Sequence, residues 1–351
     1  MATPDQRPGL LRLSAEHRQA LNEIPVVDMK DFYSEDGRVR DRYIQTVAEG
    51  LHDIGFIFVQ TPDITPKLPG IYQTYKQVFS LPLDVKMQYA RPDIHHQRGY
   101  TGQFTEIGIF CQHSGPNGSA QPDAKENFFI GPNLPPEHSM VQLYPALYAP
   151  NVWPKEVPEF QSATTELYGD LFGVGKEVLK ALEVYLGYEE GFFEDVVAES
   201  PTSLRPLHYP PVTEEQLGSI VWGCEHTDIN FVTVLPASTK KGLWVQTRSG
   251  TWIPGMAPPG CSLVQVGDML QYMTGGYFLS AHHKVDAPTE PTTEGRYSSA
   301  LFIHANSNRT LQVDRRLATN PEQYPDITAA DYLYLRLKQI GLAKEEAKAA
   351  E

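Results

Sequence analysis

The sequence is poor in cysteine, short of basic side chains and without a long apolar run, and each scarcity closes off a class of protein. Its three cysteines, Cys111, Cys224 and Cys261, stand at unrelated spacings among 351 residues, so neither a disulfide framework nor a CxxC zinc site is written. Lys and Arg number 29 against 43 Asp and Glu, a net charge of −14. No basic cluster offers the footprint that nucleic-acid phosphates require. Nowhere does an apolar stretch approach the roughly 20 residues of a membrane span, and Met1–Gln19 lacks the apolar segment of a secretory leader. These absences predict a cytoplasmic protein with idle, reduced cysteines and no nucleic-acid or membrane partner. A monomer is compatible with them.

What is present divides the chain into two characters. Ile24–Met29 reads as a short strand, and Tyr43, Val47 and Leu51 fall at the i, i+4, i+8 spacing of a helix over 39–53. Gly55–Val59 is β-rich, and a helix is expected around 67–80. From 99 to 136 the composition turns to Gly, Pro, Asn, Ser and Gln, which predicts a long irregular lid. A long helix is expected at 158–187. After Ser200, short β-rich runs follow at 204–209, 219–222, 229–235, 242–247, 251–254, 262–266, 269–273, 281–286 and 297–304, the punctuation of a sandwich or barrel. Helix returns from Thr328. The expected fold is mostly β with helical support, in a single domain over 1–351. An α/β part spans about 23–200, a β core about 201–310 and a C-terminal helix 328–351.

The chemistry is concentrated in the β core. His226 is the one histidine of eleven followed two residues later by an acid, Asp228. On a strand that spacing puts imidazole and carboxylate on one face. Alone the pair reads equally as a polar surface strand. A second imidazole comes from Ser280–Val285, where alternation turns His283 inward with Val285 and His282 outward with Lys284. Two imidazoles and one carboxylate leave adjacent positions open on an octahedral Fe(II), and the same set serves zinc hydrolases. Arg296 and Ser298 share a strand face and suit a carboxylate.

These motifs resemble, over nearly the whole chain, the isopenicillin N synthase-like Fe(II)/2-oxoglutarate-dependent oxygenases. The likeness is carried by Ile24–Asp28, Gly55–Val59, Gly99-Tyr100, Asp123-x-Lys125-Glu126-x-Phe128 and Asn151-x-Trp153-Pro154. It continues in His226-x-Asp228, Gly267-Asp268-x-Leu270, Ser280-x-x-His283-Lys284-Val285 and Arg296-x-Ser298. The run Gly267–Gly276 is similar to bacterial members and is expected to form a hairpin of the barrel wall. The resemblance implies a double-stranded β-helix, or jelly roll, with iron on His226, Asp228 and His283. It also implies 2-oxoglutarate held through its distal carboxylate by Arg296 and Ser298, with Tyr209 in contact. Two departures are Leu207 in place of the Asn of N-x-Y, and Gln265 in place of the Asn of N-x-G-D, the latter read as structural.

The implied activity uses Fe(II), 2-oxoglutarate and O2. It couples oxidative decarboxylation of 2-oxoglutarate to hydroxylation, desaturation or ring formation on a small molecule of specialised or amino-acid metabolism. Tyr100, Phe104 and Glu106 of the lid, and Phe302 and His304 beyond Ser298 on the same strand face, are candidate substrate contacts, with ordinary packing as the alternative. An iron oxidase using O2 without 2-oxoglutarate, a zinc hydrolase and a non-catalytic jelly-roll binding protein are the competing readings.

Overall fold

The computed structural model describes residues 23–111 and 121–343. The expected lid is therefore described except for 112–120, and the C-terminal segment as far as 343. The N-terminal arm before residue 23 lies outside the described residues.

The first strand, β1 (Val26–Val27), pairs in parallel with β2 (Phe56–Gln60) across helix α1 (Gly37–Asp53). Asp36 caps α1 by accepting from the Arg38 amide, one of the donors a helix start leaves without an internal partner. Helices α2 (Leu68–Phe79) and α3 (Leu83–Met87) lead to β3 (Gly99–Thr101) and β4 (Glu126–Phe129). Then come α4 (Ser139–Leu143), the long α5 (Glu159–Leu186) and α6 (Phe192–Val197). The second half carries β5 (Ser203–Tyr209), β6 (Gly223–His226), β7 (Val232–Pro236), β8 (Leu243–Gln246), β9 (Trp252–Pro254) and β10 (Cys261–Val266). It ends with α7 (Asp268–Met273), β11 (His283–Val285), β12 (Arg296–Ile303) and α8 (Ala329–Gln339).

Eight strands form one sheet in the order β1-β2-β10-β7-β12-β5-β4-β3, and four form a second, β6-β11-β8-β9. The large sheet is buried on both faces, and β2 shows how. Ile57 and Val59 join the core that α1, α2 and α5 pack against, while Phe56 and Phe58 point into the core between the two sheets. Period-two alternation thus builds three layers: helices, large sheet, small sheet. The helical layer sits close. At Gly175 of α5 an added Cβ would lie 2.2 Å from the tip of the Ile303 side chain of β12, so a larger residue there would require Ile303 to shift.

Three expectations change. The 99–136 segment is not wholly irregular, because β3 and β4 extend the edge of the large sheet, so that sheet reaches outside 201–310. The run 269–273 is helix, not the strand or hairpin expected: Met269, Leu270 and Met273 are buried at helical spacing and offer no strand alternation. The run 219–222 precedes strand β6 instead of forming one. Among the described residues no helix is long and apolar enough to cross a membrane.

Candidate metal centre and its two cavities

Strands β6 and β11 are antiparallel neighbours with His226 opposite His283. Asp228 lies beyond the end of β6, so the loop, not strand alternation, brings its carboxylate back to the imidazoles. His226 Nε2 and His283 Nε2 stand 3.8 Å and 3.6 Å from Asp228 Oδ1, and the three candidate ligand atoms lie within 4.8 Å of one another. Every other heteroatom of the set is engaged. His226 Nδ1 is 2.6 Å from the Cys224 carbonyl oxygen and His283 Nδ1 is 3.3 Å from that of Ala281. With the protons on Nδ1, both imidazoles donate to backbone and keep a lone pair on Nε2. Asp228 Oδ2 accepts from the Thr233 hydroxyl at 2.6 Å and from the Gln265 amide, which leaves Oδ1 free. Desolvation and the facing His283 push His226 down to about 4, which keeps its ring neutral.

The Asp228 loop is fixed by the Gly267-Asp268 pair. The Asp268 amide donates to the Asp228 carbonyl at 2.7 Å, and the Gly267 amide to that of Phe231 at 2.9 Å. A Cβ on Gly267 would stand 2.0 Å from the Asn230 carbonyl oxygen, so this crossing of two backbones requires glycine. Two neutral imidazoles and a one-oxygen carboxylate on three separate pieces of chain suit a divalent cation with open positions.

Two cavities flank this centre and share Lys125, Arg205, His226, Asp228 and Phe302 in their walls. The smaller, about 60 Å³, runs between the sheets past Leu207 and Tyr209 to Arg296 and Ser298. Arg296 is 2% exposed; its Nε donates to the Lys240 carbonyl at 3.1 Å and one terminal nitrogen to Ser238 Oγ at 3.0 Å. Its other terminal nitrogen, Nη1, is buried without a partner. The guanidinium also lies over the Tyr209 ring, 4.9 Å from its centroid. An unpaired, buried N–H on a cation in the wall of this cavity fits the tail carboxylate of a dianion such as 2-oxoglutarate. The larger cavity, about 110 Å³, opens on the other side of Asp228 and is walled by residues around Glu106, by His304 and by α8.

Comparison with known proteins gives this arrangement a family. Residues 24–156 match the non-haem dioxygenase in morphine synthesis N-terminal family, and residues 198–305 match the 2OG-Fe(II) oxygenase superfamily. Clavatol oxidase of Penicillium crustosum is 31% identical over 81% of this chain and 86% of its own. The chain belongs to the 2OG-Fe(II) oxygenase superfamily. A 2-oxoglutarate-Fe(II) type oxidoreductase of Aspergillus fumigatus is 29% identical over 87% of this chain and 89% of its own. A 2OG-Fe(II) oxygenase family structure from Caulobacter crescentus superposes with TM-score 0.74 at 31% identity, over 90% of this chain and 98% of that one. A Neurospora crassa structure holding alpha-KG superposes with TM-score 0.76 at 26% identity, over 91% and 98%.

This oxygenase is thus a jelly-roll oxidoreductase that uses Fe(II), 2-oxoglutarate and O2 and acts on a small molecule. Of the candidate substrate contacts, Glu106, Phe302 and His304 line the larger cavity. Tyr100 does not: it is 1% exposed on the far face of the sheet edge, donating at 2.5 Å to Glu126, which also binds Lys86 and His208. Phe104 is 55% exposed and lines neither cavity. Cys111 and Cys224 are not idle either. They are paired as a disulfide with Cα atoms 6.3 Å apart, a contact hidden by 113 residues of sequence.

Several residues of the oxygenase site, Arg205 and Arg336 among them, lie outside the motifs, and others lie in a motif without a role assigned. Arg205 and Lys125 both bind Glu106, and Lys125 also binds Asp123, whose other oxygen accepts from the Cys224 amide at 2.9 Å. Alternation along 125–127 could have placed Lys125 and Asn127 together, since both reach Glu106. Arg336, Leu333 and Leu337 enter the cavity wall from α8, whose i, i+4 leucines mark its buried face, whereas Leu335 is exposed. Gln265 reaches Asp228 directly, so it supports the metal site and is not merely structural.

Proposed function

We propose that His226, Asp228 and His283 hold the iron, that Arg296, Ser298 and Tyr209 receive 2-oxoglutarate, and that the 110 Å³ cavity receives the substrate. The observation that carries this reading is the donor set itself: three ligand atoms converge while every other heteroatom of the three side chains is tied elsewhere. Iron bound with 2-oxoglutarate supplies the oxidising chemistry, in which O2 and 2-oxoglutarate give succinate and CO2 while the substrate is oxidised.

The chain's own residues supply geometry and dryness. Thr233 and Gln265 keep Asp228 to one ligating oxygen, which preserves open positions. Arg296, a buried cation that burial lowers from its ordinary value without neutralising it, neutralises the cosubstrate tail. Phe302 stands in the walls of both cavities and shields the reacting centre from water. The segment around Glu106 closes the substrate side as a lid, tied to the core by Arg205, Lys125 and Asn127. The product is a hydroxylated, desaturated or cyclised small molecule of specialised or amino-acid metabolism. The chain works in the cytoplasm as one domain, without nucleic acid or membrane, and needs no second copy to complete the site.

Anaerobic titration tests the centre. The purified chain binds one Fe(II), and Asp228→Ala weakens that binding by on the order of 100-fold or more, beyond the loss caused by removing a ligand's supporting partner. Unchanged affinity in the variant defeats the triad. Succinate formed in step with O2 uptake supports the cosubstrate site, and O2 uptake without succinate overturns it.

A further inference from the structure

The substrate cavity has a surplus of hydrogen-bond donors and no spare carboxylate to meet them. Glu106 accepts from Lys125, Arg205 and Asn127; Asp123 accepts from Lys125 and the Cys224 amide; Asp228 accepts from Thr233 and Gln265 and turns its other oxygen to the imidazoles. Against these, Arg205 Nε and Arg336 Nε are buried donors without a partner among the described residues, and His304 Nδ1, a donor or an acceptor by tautomer, is likewise unpartnered there. The three lie on β5, on α8 and just past β12, so three separate elements direct basic side chains at one cavity.

Neither guanidinium is merely packed away. Arg205 lies between the rings of Phe129 and Phe302, 4.5 Å and 5.8 Å from their centroids, with only Glu106 on its edge. Arg336 reaches Asp268 at 3.2 Å and Thr227 Oγ1 at 3.3 Å through a single nitrogen. A buried donor left without a partner costs roughly 1–3 kcal/mol, so a ligand bringing acceptor oxygens is favoured and one bringing further donors is penalised. Arg pairs best with a planar, two-oxygen acceptor. Apolar surface comes from Ile107, Phe129, Ile229, Leu333, Leu337 and Ile340, beside neutral polar groups such as Gln97 and Asn230. At about 110 Å³ the space is smaller than an apolar cavity of roughly 150 Å³ that accepts benzene.

We propose that the primary substrate is a small carboxylic acid with an apolar body, and that Arg336 and Arg205 receive its carboxylate. His304 completes the polar end of the cavity. This deepens the dioxygenase reading and rests on it.

The test uses the holoenzyme, loaded anaerobically with Fe(II) and 2-oxoglutarate, and isothermal titration with matched probes. Benzoate and cyclopentanecarboxylate are compared with benzamide and cyclopentanecarboxamide, in which an acceptor oxygen is replaced by a donor. Each acid is expected to bind about tenfold or more tighter than its amide, the preference of a charge-assisted pair. Arg336→Met is expected to shrink that ratio below about threefold. Arg336→Lys, which keeps a charge for the buried Asp268, is expected to shrink it in the same direction and guards against a folding defect. Amides binding as tightly as acids, no acid binding, or a ratio unmoved by both variants overturns the proposal. Fe(II) and 2-oxoglutarate affinities measured in the same series separate the two levels. Their absence in the unaltered chain sinks the metal-site reading, whereas their presence without acid preference sinks this inference alone.

Discussion

The two cavities that meet at Asp228 are built differently. The proposed cosubstrate side is made of strands: Arg296 and Ser298 on β12 stand opposite Tyr209 and Leu207 on β5, and Val285 comes from β11. Its cation is held by a backbone carbonyl and a serine, groups that do not titrate. The substrate side is made of a loop around Glu106, the helix α8 and the residue just past β12. Its charges hold one another, through Glu106 with Arg205 and Lys125 and through Asp268 with Arg336. One side is a rigid receptor whose positions follow from sheet register. The other is an assembly of distant segments, where sites tend to vary while the scaffold stays.

The sharpest break in this comparison comes from Arg296→Leu. Leaving a buried carboxylate without its partner costs roughly 3–5 kcal/mol, so 2-oxoglutarate affinity should fall by about 10²- to 4 × 10³-fold. Fe(II) affinity should be unchanged, as titration of iron before cosubstrate reads directly. Retained 2-oxoglutarate affinity would show that the strand-built side is not the receptor. A smaller effect is expected at the seam between the cavities. Gln265→Leu removes one of the two donors on Asp228 Oδ2 and should weaken Fe(II) by roughly 10-fold, the low end for a partner that orients a ligand. At saturating iron its 2-oxoglutarate affinity should equal that of the unaltered chain. If Fe(II) binds Gln265→Leu normally, Thr233 alone orients the carboxylate and the glutamine belongs to the packing.

The same division explains what could be read from the sequence. His283 was distinguishable from its neighbour His282 because Lys284 and Val285 declare the inward face, and the structure has His283 at 6% exposure with His282 turned to Glu225. Arg296 and Ser298 were paired by the same period of two, and Phe302 and His304 followed along that strand. Tyr100 was misjudged because a segment rich in Gly and Pro looked like lid, while it holds a strand pairing Tyr100 with Phe128. Once in that strand, its ring points to the Lys86–Glu126 pair behind the sheet. Residues 269–273 were misjudged because Met and Leu runs of five residues suit strand or helix equally. Arg336 could not be found at all by local pattern. It reaches the site only because α8 folds back over a cavity walled also by His304, Asp228 and the segment around Glu106, and no period in the chain encodes that contact.

A third effect, on stability and not on affinity, distinguishes the two sides by pH. Burial pushes the His304 imidazole down to about 4, with Asp228 acting weakly against the shift, so the ring is neutral in the folded chain. In the unfolded chain it titrates near 6.5. Because the folded value is depressed, the unfolded state binds the extra proton between those values. The contribution of His304 to stability is therefore complete above about pH 6.5 and is lost as pH falls towards 4, amounting to about 2 kcal/mol at pH 5. His304→Gln should accordingly lose less stability between pH 7 and pH 5 than the unaltered chain, by that amount, in denaturant melts of the metal-free proteins. Comparing both chains at both pH values cancels the titration of His226, which is common to them. An unchanged pH slope in His304→Gln would mean that the imidazole titrates in the folded chain as it does in the unfolded one. The substrate side would then gain a positive charge as pH falls through about 6.5, a titration that the carbonyl and serine holding Arg296 cannot show.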